Sequence, residues 1–486
     1  MMTSRFASVR WKAWLVILGG VLIHITLGSR YTFGNLTSYI TSYLRERTPS
    51  EGIRYKDTTS IFLLLITCYG ATVPLGGVLD ERVGPRLVSI TGCWLASLGV
   101  FLTYFSIQDS FYSVLLTYGL IFGIGSGIAY IPALVCAMKW MPEKKGLVNG
   151  LITGGHGIAA VIWNPIETEY INPDNLSPNS SLKEEPTEKY FAEAAVLDRV
   201  PSCFLILGIT FACIQFFGVL LLFDPPIDEP KSKEPSQEDE KHLTDADGGE
   251  PLQIGGEYNT FAVQEGDSDK EMDTEEERDL VDEKWTGLDI PPFEVYTETS
   301  FWILWSTHLI TVLGIVFIMA LYKAYGQTMI NDDYFLSLTG SISAVFNGGG
   351  RIFWGCMADK FSYKGSTLAM CGSMIVFLLT LDVVSRSGGQ YAYLVWICLI
   401  NISMSGTFSL IPTATARAFG AKHVGANYGL VYSSQIITGP LGALLATTLT
   451  DRIGWFGMFI LLATFYLGAF IITLLFNVKT RKGENI

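Results

Sequence analysis

The chain has 486 residues, of which 49% are hydrophobic and only 16% are charged, and its mean hydropathy is +0.35. Soluble domains carry charge on roughly 25% of their residues, so this composition excludes a soluble enzyme, a collagen-like chain and a disordered chain. The formal net charge of −13 suggests an acidic protein. That charge is concentrated in one segment, however, and does not describe the chain as a whole.

Residues 224–298 hold the acidic charge. They contain 25 Asp and Glu against 6 Lys and Arg, together with many Pro, Ser and Gly, and the rest of the chain is net positive. A segment with so much like charge and so few apolar runs cannot bury enough surface to fold. The composition therefore predicts a disordered acidic linker, which is either a solvated tether or a docking platform for a cytosolic partner.

Long apolar runs on both sides of this linker predict transmembrane helices, because about 20 apolar residues cross a bilayer as a helix. We predict an all-α membrane protein with twelve transmembrane helices, six in a bundle at 1–223 and six in a bundle at 299–486. The predicted spans are 13–44, 58–79, 87–108, 110–138, 146–166, 200–223, 299–322, 334–358, 365–381, 387–416, 424–450 and 453–478.

The distribution of Lys and Arg predicts the orientation. If the N-terminus is cytoplasmic, the short segments on the inside carry more Lys and Arg than those on the outside, as the positive-inside rule requires. Both termini and the linker are then cytoplasmic. The outer loop 168–199 holds two weak glycosylation sequences, at Asn175 and Asn179. This loop, the long first span and the large linker favour the plasma membrane.

The two halves repeat the same sequence landmarks at nearly the same spacing, which predicts two related six-helix units. The landmark pairs are the loops 77–86 and 355–364, Pro132 and Pro412, and Gly146 and Gly425.

We call the loops 77–86 and 355–364 the motif loops. Each begins with a glycine, which lets two helices approach closely, and continues with an acid and bases that can form ion pairs at the cytoplasmic end. Such pairs would hold one conformation closed, and their rupture would let the two halves rock. The residues to which we assign this gating role are Gly77, Glu81, Arg82, Arg86, Gly355, Asp359, Lys360 and Lys364.

The paired motif loops and the order of six spans, linker and six spans resemble the major facilitator superfamily. Glu81 and Ser362 depart from the Asp and Gly that are usual at these loop positions. The segments that are similar to the oxalate/formate antiporter branch, and in part to the monocarboxylate transporter branch, are 27–33, 123–132, 140–146, 347–351 and 427–432. The resemblance implies alternating-access transport of a small organic anion, a mono- or dicarboxylate.

Two arginines lie inside apolar runs, Arg30 in span 1 and Arg351 in span 8. A charge in the membrane is costly and usually faces a cavity or a partner. The spans offer few carboxylates, since Glu167 and Asp382 lie at the ends of their runs. Because the positions related to both arginines by the repeat are uncharged, a shared structural role is disfavoured. We expect both guanidinium groups to bind a substrate anion.

The resemblance assigns one carboxylate clamp to Arg351 and places Gln435 where the antiporters carry a second, lysine clamp. Two hypotheses follow from this departure. Arg351 alone binds a monocarboxylate, or Arg30 or Lys323 replaces the missing lysine and a dicarboxylate still fits.

Three further residues are candidates for the substrate cavity. Tyr31 and Tyr130 match aromatic residues that line the cavity in the resembled families, although packing is the plainer explanation. His156 lies among glycines that leave room beside it. With no carboxylate in the middle of a span, exchange or facilitated diffusion is favoured over proton symport.

No metal-ligand spacing, phosphate loop or nucleophile triad is visible in the sequence. We therefore predict no enzymatic activity, metal site, cofactor or nucleic-acid partner. Two rival hypotheses remain. One is a carrier of a non-carboxylate solute such as an amino acid, a nucleoside or a drug, and the other is a non-transporting sensor that signals through the linker.

Overall fold

The computed structural model describes residues 2–48, 52–174, 176, 180–181, 189–225, 289–330, 332–420, 422–448 and 450–479. The greater part of the predicted linker lies outside these residues, as do the glycosylation sequences at Asn175 and Asn179 and the side chain of Lys323. Residues 1–224 and 281–486 form one compact unit, and the second unit is 225–280.

Helices of the N-terminal half follow the predicted spans, and two short strands, β1 (Ser180–Ser181) and β2 (Lys189–Tyr190), pair antiparallel in the loop after the fifth span. In chain order the helical elements are α1 (Met2–Leu27), a 3-10 segment (Gly28–Thr32), α2 (Phe33–Arg47), α3 (Tyr55–Val83), α4 (Pro85–Asp109), α5 (Phe111–Val114), a π-helical segment (Leu115–Ile121), α6 (Phe122–Trp140), a 3-10 turn (Pro142–Lys144), α7 (Lys145–Ile171), α8 (Ala194–Leu197) and α9 (Val200–Leu220).

Helices of the C-terminal half follow the same plan. They are a 3-10 turn (Val295–Thr297), α10 (Thr299–Gln327), α11 (Asp333–Lys360), α12 (Tyr363–Met404), α13 (Thr407–Phe419), α14 (Val424–Tyr432), α15 (Gln435–Thr448) and α16 (Thr450–Leu474). The stretch α12 contains parts of two predicted spans as two helices that meet at Gly389, where φ is 71° and ψ is −163°, so the backbone is not helical at that residue. Glycine adopts this left-handed conformation without steric cost.

Among the described residues, nine helical segments are long and apolar enough to cross a membrane. The apolar runs of the sequence therefore did predict membrane-spanning helices. One feature was not expected. The first span is not a single α-helix, because the 3-10 segment Gly28–Thr32 separates α1 from α2 near its middle.

The two halves meet through glycines at the end of the molecule that holds the motif loops, which we call the motif end. A Cβ atom at Gly77 on α3 would overlap the carbonyl group of Gly425 on α14, and one at Gly355 on α11 would overlap that of Gly146 on α7. This approach requires glycine at positions 77, 355 and 146, whereas a Cβ atom at Gly425 would meet other atoms only at 3.4 Å and beyond. The landmark glycines of the repeat thus form two corresponding contacts between the halves.

Residues 289–298, which the composition assigns to the linker, are attached to the C-terminal half. The Ile290 amide donates to the Phe419 carbonyl at 3.0 Å, and Asn427 Nδ2 donates to the Ile290 carbonyl at 2.9 Å. Asp289 Oδ1 accepts from the Lys422 amide at 3.1 Å. The side chain of Val295 is fully buried. The apolar residues in this stretch explain why it packs, although its overall composition is acidic.

Candidate functional site

Arg351 lies in the second half of α11, with only 1% of its surface exposed. Its Nε donates to Asn347 Oδ1 at 3.1 Å, and its Nη1 donates to the Thr153 carbonyl of α7 at 3.0 Å. Its Nη2 lies 3.4 Å from the Tyr31 hydroxyl, and its guanidinium lies 4.4 Å from the ring centroid of Phe408. Arg351 therefore connects the two halves through neutral groups.

Arg30 lies in the 3-10 segment and is 5% exposed. Its guanidinium stacks on the Tyr69 ring at 3.9 Å and lies 5.2 Å from the ring centroid of Tyr31. Its Nη1 atom is buried and has no hydrogen-bond partner among the described residues. Neither Arg30 nor Arg351 forms an ion pair with a described carboxylate.

Aromatic and imidazole rings surround these two cations. Tyr130 is the hub, since its ring centroid lies 4.8 Å from that of His24, 5.8 Å from that of His156 and 5.2 Å from that of Tyr432. Tyr31 contacts His156 edge to face at 5.2 Å. We call the following residues the central cluster: Arg30, Arg351, Tyr31, Tyr69, Tyr130, Tyr432, His24 and His156.

Several polar atoms of the central cluster are buried without a partner. They include the hydroxyl groups of Tyr69, Tyr130 and Tyr432 and both ring nitrogens of His156, with the absence of a partner counted over the described residues. Native interiors leave few such groups unsatisfied, and each one needs an explanation. Buried donors around two guanidinium groups are what a small anion requires of its binding site.

The structure brings together five of the six residues predicted to bind substrate, namely Arg351, Arg30, Tyr130, Tyr31 and His156. Gln435, the sixth, is 3% exposed and begins α15. It packs against Gly70 of α3, next to Tyr69 of the central cluster. It is separated from Tyr432 by the short break at 433–434 between α14 and α15. None of these positions by itself assigns a ligand.

Four members of the site were not singled out as binding residues from sequence, namely Tyr69, Tyr432, His24 and Phe408. Aromatic residues make up 13% of the chain, so their number alone identifies none of them. One signal was present, because Tyr428 and Tyr432 are one helical turn apart and share a helix face. Their rings do meet, at 5.3 Å.

Glu167, which the sequence places at the end of an apolar run, is fully buried on α7. Its Oε1 lies 2.7 Å from Thr32 Oγ1, and its Oε2 accepts from Asn35 Nδ2 at 3.3 Å. Asp382, the other carboxylate at a run end, pairs with Arg386 at 2.9 Å and accepts from the Tyr325 hydroxyl.

At the motif end, the acids of the two motif loops contact the opposite half. Asp359 accepts from the amides of Gly146 and Leu147, at 2.9 and 2.8 Å, and pairs with Arg417 at 3.0 Å. It thereby caps the first turn of α7, where unpaired amides and the helix dipole favour an anion. Glu81 pairs with His423 Nδ1 at 2.9 Å, and His423 immediately precedes α14.

The last base of each motif loop acts within its own half. Arg86 donates to the carbonyl groups of Leu222 and Leu220 at the end of α9, and Lys364 donates to the carbonyl of Leu474 at the end of α16, at 2.7 Å. Both bases therefore cap the last helix of their own bundle. The other two bases assigned to gating, Arg82 and Lys360, are exposed.

The family model described as "Major Facilitator Superfamily" matches residues 21–434 and 304–486 of this chain. These matches cover nearly the whole chain, and they confirm the resemblance drawn from the motif loops.

Two relatives indicate the branch. The chain is 27% identical to apicoplast pyruvate carrier 1 of Toxoplasma gondii, over 92% of this chain and 86% of the relative. It is 22% identical to the oxalate:formate antiporter of Oxalobacter formigenes, over 95% of this chain and 91% of the relative. In both cases the similarity extends through both halves.

Two solved structures share the fold. A proton:xylose symporter bound to 6-bromo-6-deoxy-D-glucose superimposes with a TM-score of 0.64 at 11% identity, covering 98% of both chains. The E. coli fucose:proton symporter superimposes with a TM-score of 0.57 at 14% identity, covering 95% of this chain and 97% of the other. At such low identity the likeness concerns the fold alone.

Proposed function

This chain belongs to the major facilitator superfamily, and from that premise we propose that it is a secondary transporter of small organic anions, with monocarboxylates as principal substrates. The central cluster carries this proposal. It holds two buried guanidinium groups that pair with no described carboxylate, and one of them has an Nη atom without a described partner. Buried cations in a membrane protein mark the path of an anion.

The proposed architecture is twelve spans in two six-helix repeats, 1–223 and 299–486, joined by the acidic linker 224–298. Substrate binds between the repeats near the bilayer midplane, and the repeats rock around it. In this proposal the motif end and both termini lie in the cytosol, which the bias of Lys and Arg supports. The plasma membrane as location, and a cytosolic partner for the linker, stay predictions.

We infer that the two arginines have different roles in substrate binding. Arg30 offers the donor that is free among the described residues, and Arg351 is held in place by Asn347 and by the Thr153 carbonyl. A bound carboxylate that draws Arg351 away from Thr153 removes a hydrogen bond between α11 and α7. Binding would then change the contact between the halves, which alternating access requires.

Two features support monocarboxylates over dicarboxylates. Gln435 places an uncharged side chain where the antiporter pattern has a second cation. In addition, the relative at 27% identity is described as a pyruvate carrier, and the name of the other relative includes formate as well as oxalate. A monocarboxylate needs one guanidinium fork, and the second cation then sets the local potential.

The test is counterflow into liposomes that contain the purified protein and are preloaded with pyruvate, lactate, formate, oxalate or succinate. We expect exchange of the monocarboxylates. Loss of a buried, charge-assisted contact costs roughly 2–5 kcal/mol, so Arg351→Gln should reduce exchange at least about thirtyfold and Arg30→Gln somewhat less. The matched control is Arg386→Gln, which removes an exposed guanidinium. Failure of folded wild-type protein to exchange any of these anions would refute the proposal.

The same panel tests specificity. Gln435→Lys adds the missing cation and should raise the exchange of oxalate relative to that of pyruvate. An unchanged ratio would mean that the side chain at 435 does not reach the substrate.

A further inference from the structure

The buried carboxyl group of Glu167 lies apart from the central cluster. Glu167 is 11 residues beyond His156 on α7, which is about 16 Å along a helix, towards the end opposite the motif loops. It is fully buried. Its hydrogen-bond partners are Thr32, the last residue of the 3-10 segment that interrupts the first span, and Asn35 of α2.

The hydrogen bonds of Thr32 indicate where a proton resides. Thr32 Oγ1 lies 2.7 Å from Glu167 Oε1 and 2.8 Å from the Ser29 carbonyl oxygen. A hydroxyl group has one proton to donate, a backbone carbonyl can only accept, and an ionised carboxylate can only accept. If Glu167 is ionised, one of the two contacts is an oxygen–oxygen approach without a hydrogen. If Glu167 carries the proton, it donates to Thr32, Thr32 donates to Ser29, and both contacts are hydrogen bonds.

Among the described residues, none forms an ion pair with Glu167. Arg30, which belongs to the same 3-10 segment as Thr32, directs its guanidinium to Tyr69 and forms no ion pair with Glu167. An ionised carboxylate buried without a cation is costly, whereas the neutral acid is not. The titratable groups of the described residues that face Glu167 from the neighbouring elements are Tyr39 of α2, Tyr118 of the π-helical segment and Cys203 of α9.

The internal repeat indicates that the Glu167 carboxyl group has a role beyond the packing of the six-helix unit. On the spacing that relates Gly146 to Gly425, Glu167 corresponds to Ala446 in the other half. A carboxyl group is therefore not a requirement of this position in the six-helix unit.

We propose that Glu167 and Thr32 form a proton site, separate from the anion site, that makes transport proton-coupled. In the conformation described above, the Glu167 carboxyl holds one proton. Thr32 follows Arg30 by two residues in the same 3-10 segment, so an anion that displaces Arg30 also displaces Thr32 and opens the proton site. One monocarboxylate and one proton then cross together without net charge. This coupling of proton and anion transport rests on the proposed function. It replaces the expectation of proton-independent exchange.

Infrared difference spectroscopy tests the proton site without any substrate. Purified full-length protein in lipid is titrated with pH, and the carbonyl stretching band of a protonated carboxylic acid is recorded. We expect the band in the wild type, its loss in Glu167→Gln, and its retention in Glu169→Gln. Glu169 is the matched control because it is an exposed carboxylate two residues further along α7. A band that is the same in all three proteins would overturn the proposal.

The coupling is tested with labelled pyruvate in proteoliposomes. The readout is the ratio of uptake driven by an inward proton gradient to counterflow at equal pH on both sides. We expect this ratio to fall at least tenfold in Glu167→Gln, to fall less in Thr32→Val, and to stay at the wild-type value in Glu169→Gln. A wild-type ratio in Glu167→Gln would overturn the coupling.

The two proposals fail in different ways. Absence of pyruvate counterflow in the wild type would refute the transport of this anion, and the infrared band would still decide whether Glu167 holds a proton.

Discussion

The internal repeat is kept at the motif end and lost at the centre. At the motif end each half contributes a glycine contact to the other half and a base that caps its own last helix. At the centre, Arg30 and Arg351 have uncharged residues at the corresponding positions of the other half, and the same holds for Glu167 nearer the opposite end of α7. The contacts at the motif end, which we call the frame, are therefore duplicated. The groups suited to bind ions occur once. A single site is what one small, asymmetric anion requires.

The largest effect on the frame is expected from its glycine contacts. In Gly355→Ala and Gly77→Ala the new methyl group overlaps a backbone carbonyl of the other half, so the helices must separate at the motif end. Overpacking of this kind costs about 1–3 kcal/mol. We expect lower thermal stability in detergent and, by distance measurements between spin labels, a larger separation of the halves at the motif end.

The matched control for the glycine contacts is Gly349→Ala on the same helix as Gly355, because no atom lies within 4 Å of a Cβ placed there. If Gly355→Ala and Gly349→Ala gave the same stability and the same spin-label distances, close packing at the motif end would not hold the halves together.

The effect expected from the acids is at most as large as that of the glycine contacts, and here the two halves should differ. Asp359 is 14% exposed and has two amides and Arg417 as partners, whereas Glu81 is 26% exposed and pairs with one imidazole. Asp359→Asn removes the charge and one of the two acceptor oxygens, so one donor faces an NH2 group, at a cost of roughly 1–3 kcal/mol. Glu81→Gln loses a partly exposed pair, worth about 0–1 kcal/mol. Thermal unfolding of both variants measures this difference, and equal losses would contradict the asymmetry.

The smallest effect is expected from the helix-capping bases. Arg86→Met and Lys364→Met each remove a cation from the end of the last helix in its half, which is worth about 0.3–1 kcal/mol. We expect similar small losses of thermal stability and no change in spin-label distances between the halves. A clear change in those distances in either variant would assign the base to gating, as the sequence suggested, rather than to its own bundle.

Much of the fold was predictable from the sequence because the patterns that indicate helices and glycine contacts are local. Apolar runs of membrane length located the helices, and the landmark glycines of the repeat turned out to touch. The break at Gly28–Thr32 was not predictable, since no proline interrupts this stretch and its neighbours come from distant parts of the chain. The packing of residues 289–298 at the end of the acidic linker was not predictable for a similar reason, because the burial of Val295 depends on residues remote in sequence.

The site was predictable only where a residue is unusual for its surroundings. Arg30 and Arg351 are conspicuous in apolar runs, and both lie in the central cluster. Tyr69 and Tyr432 are ordinary residues of an aromatic-rich chain, so only the packing of distant helices identifies them. Glu167 follows the apolar run of its span, but α7 continues to Ile171 and the first span buries the carboxyl group. Burial by another element leaves no trace in local sequence.

The attachment of Asp289 and Ile290 to the ends of α13 and α14 has a mechanical consequence. These hydrogen bonds fix the chain to the C-terminal half. A force on the preceding acidic segment is therefore transmitted to the ends of α13 and α14. The point of application adjoins His423, which contacts Glu81 of the other half. A protein that binds the acidic segment, or phosphate groups added to it, would therefore act directly on the contact between the halves at His423 and Glu81.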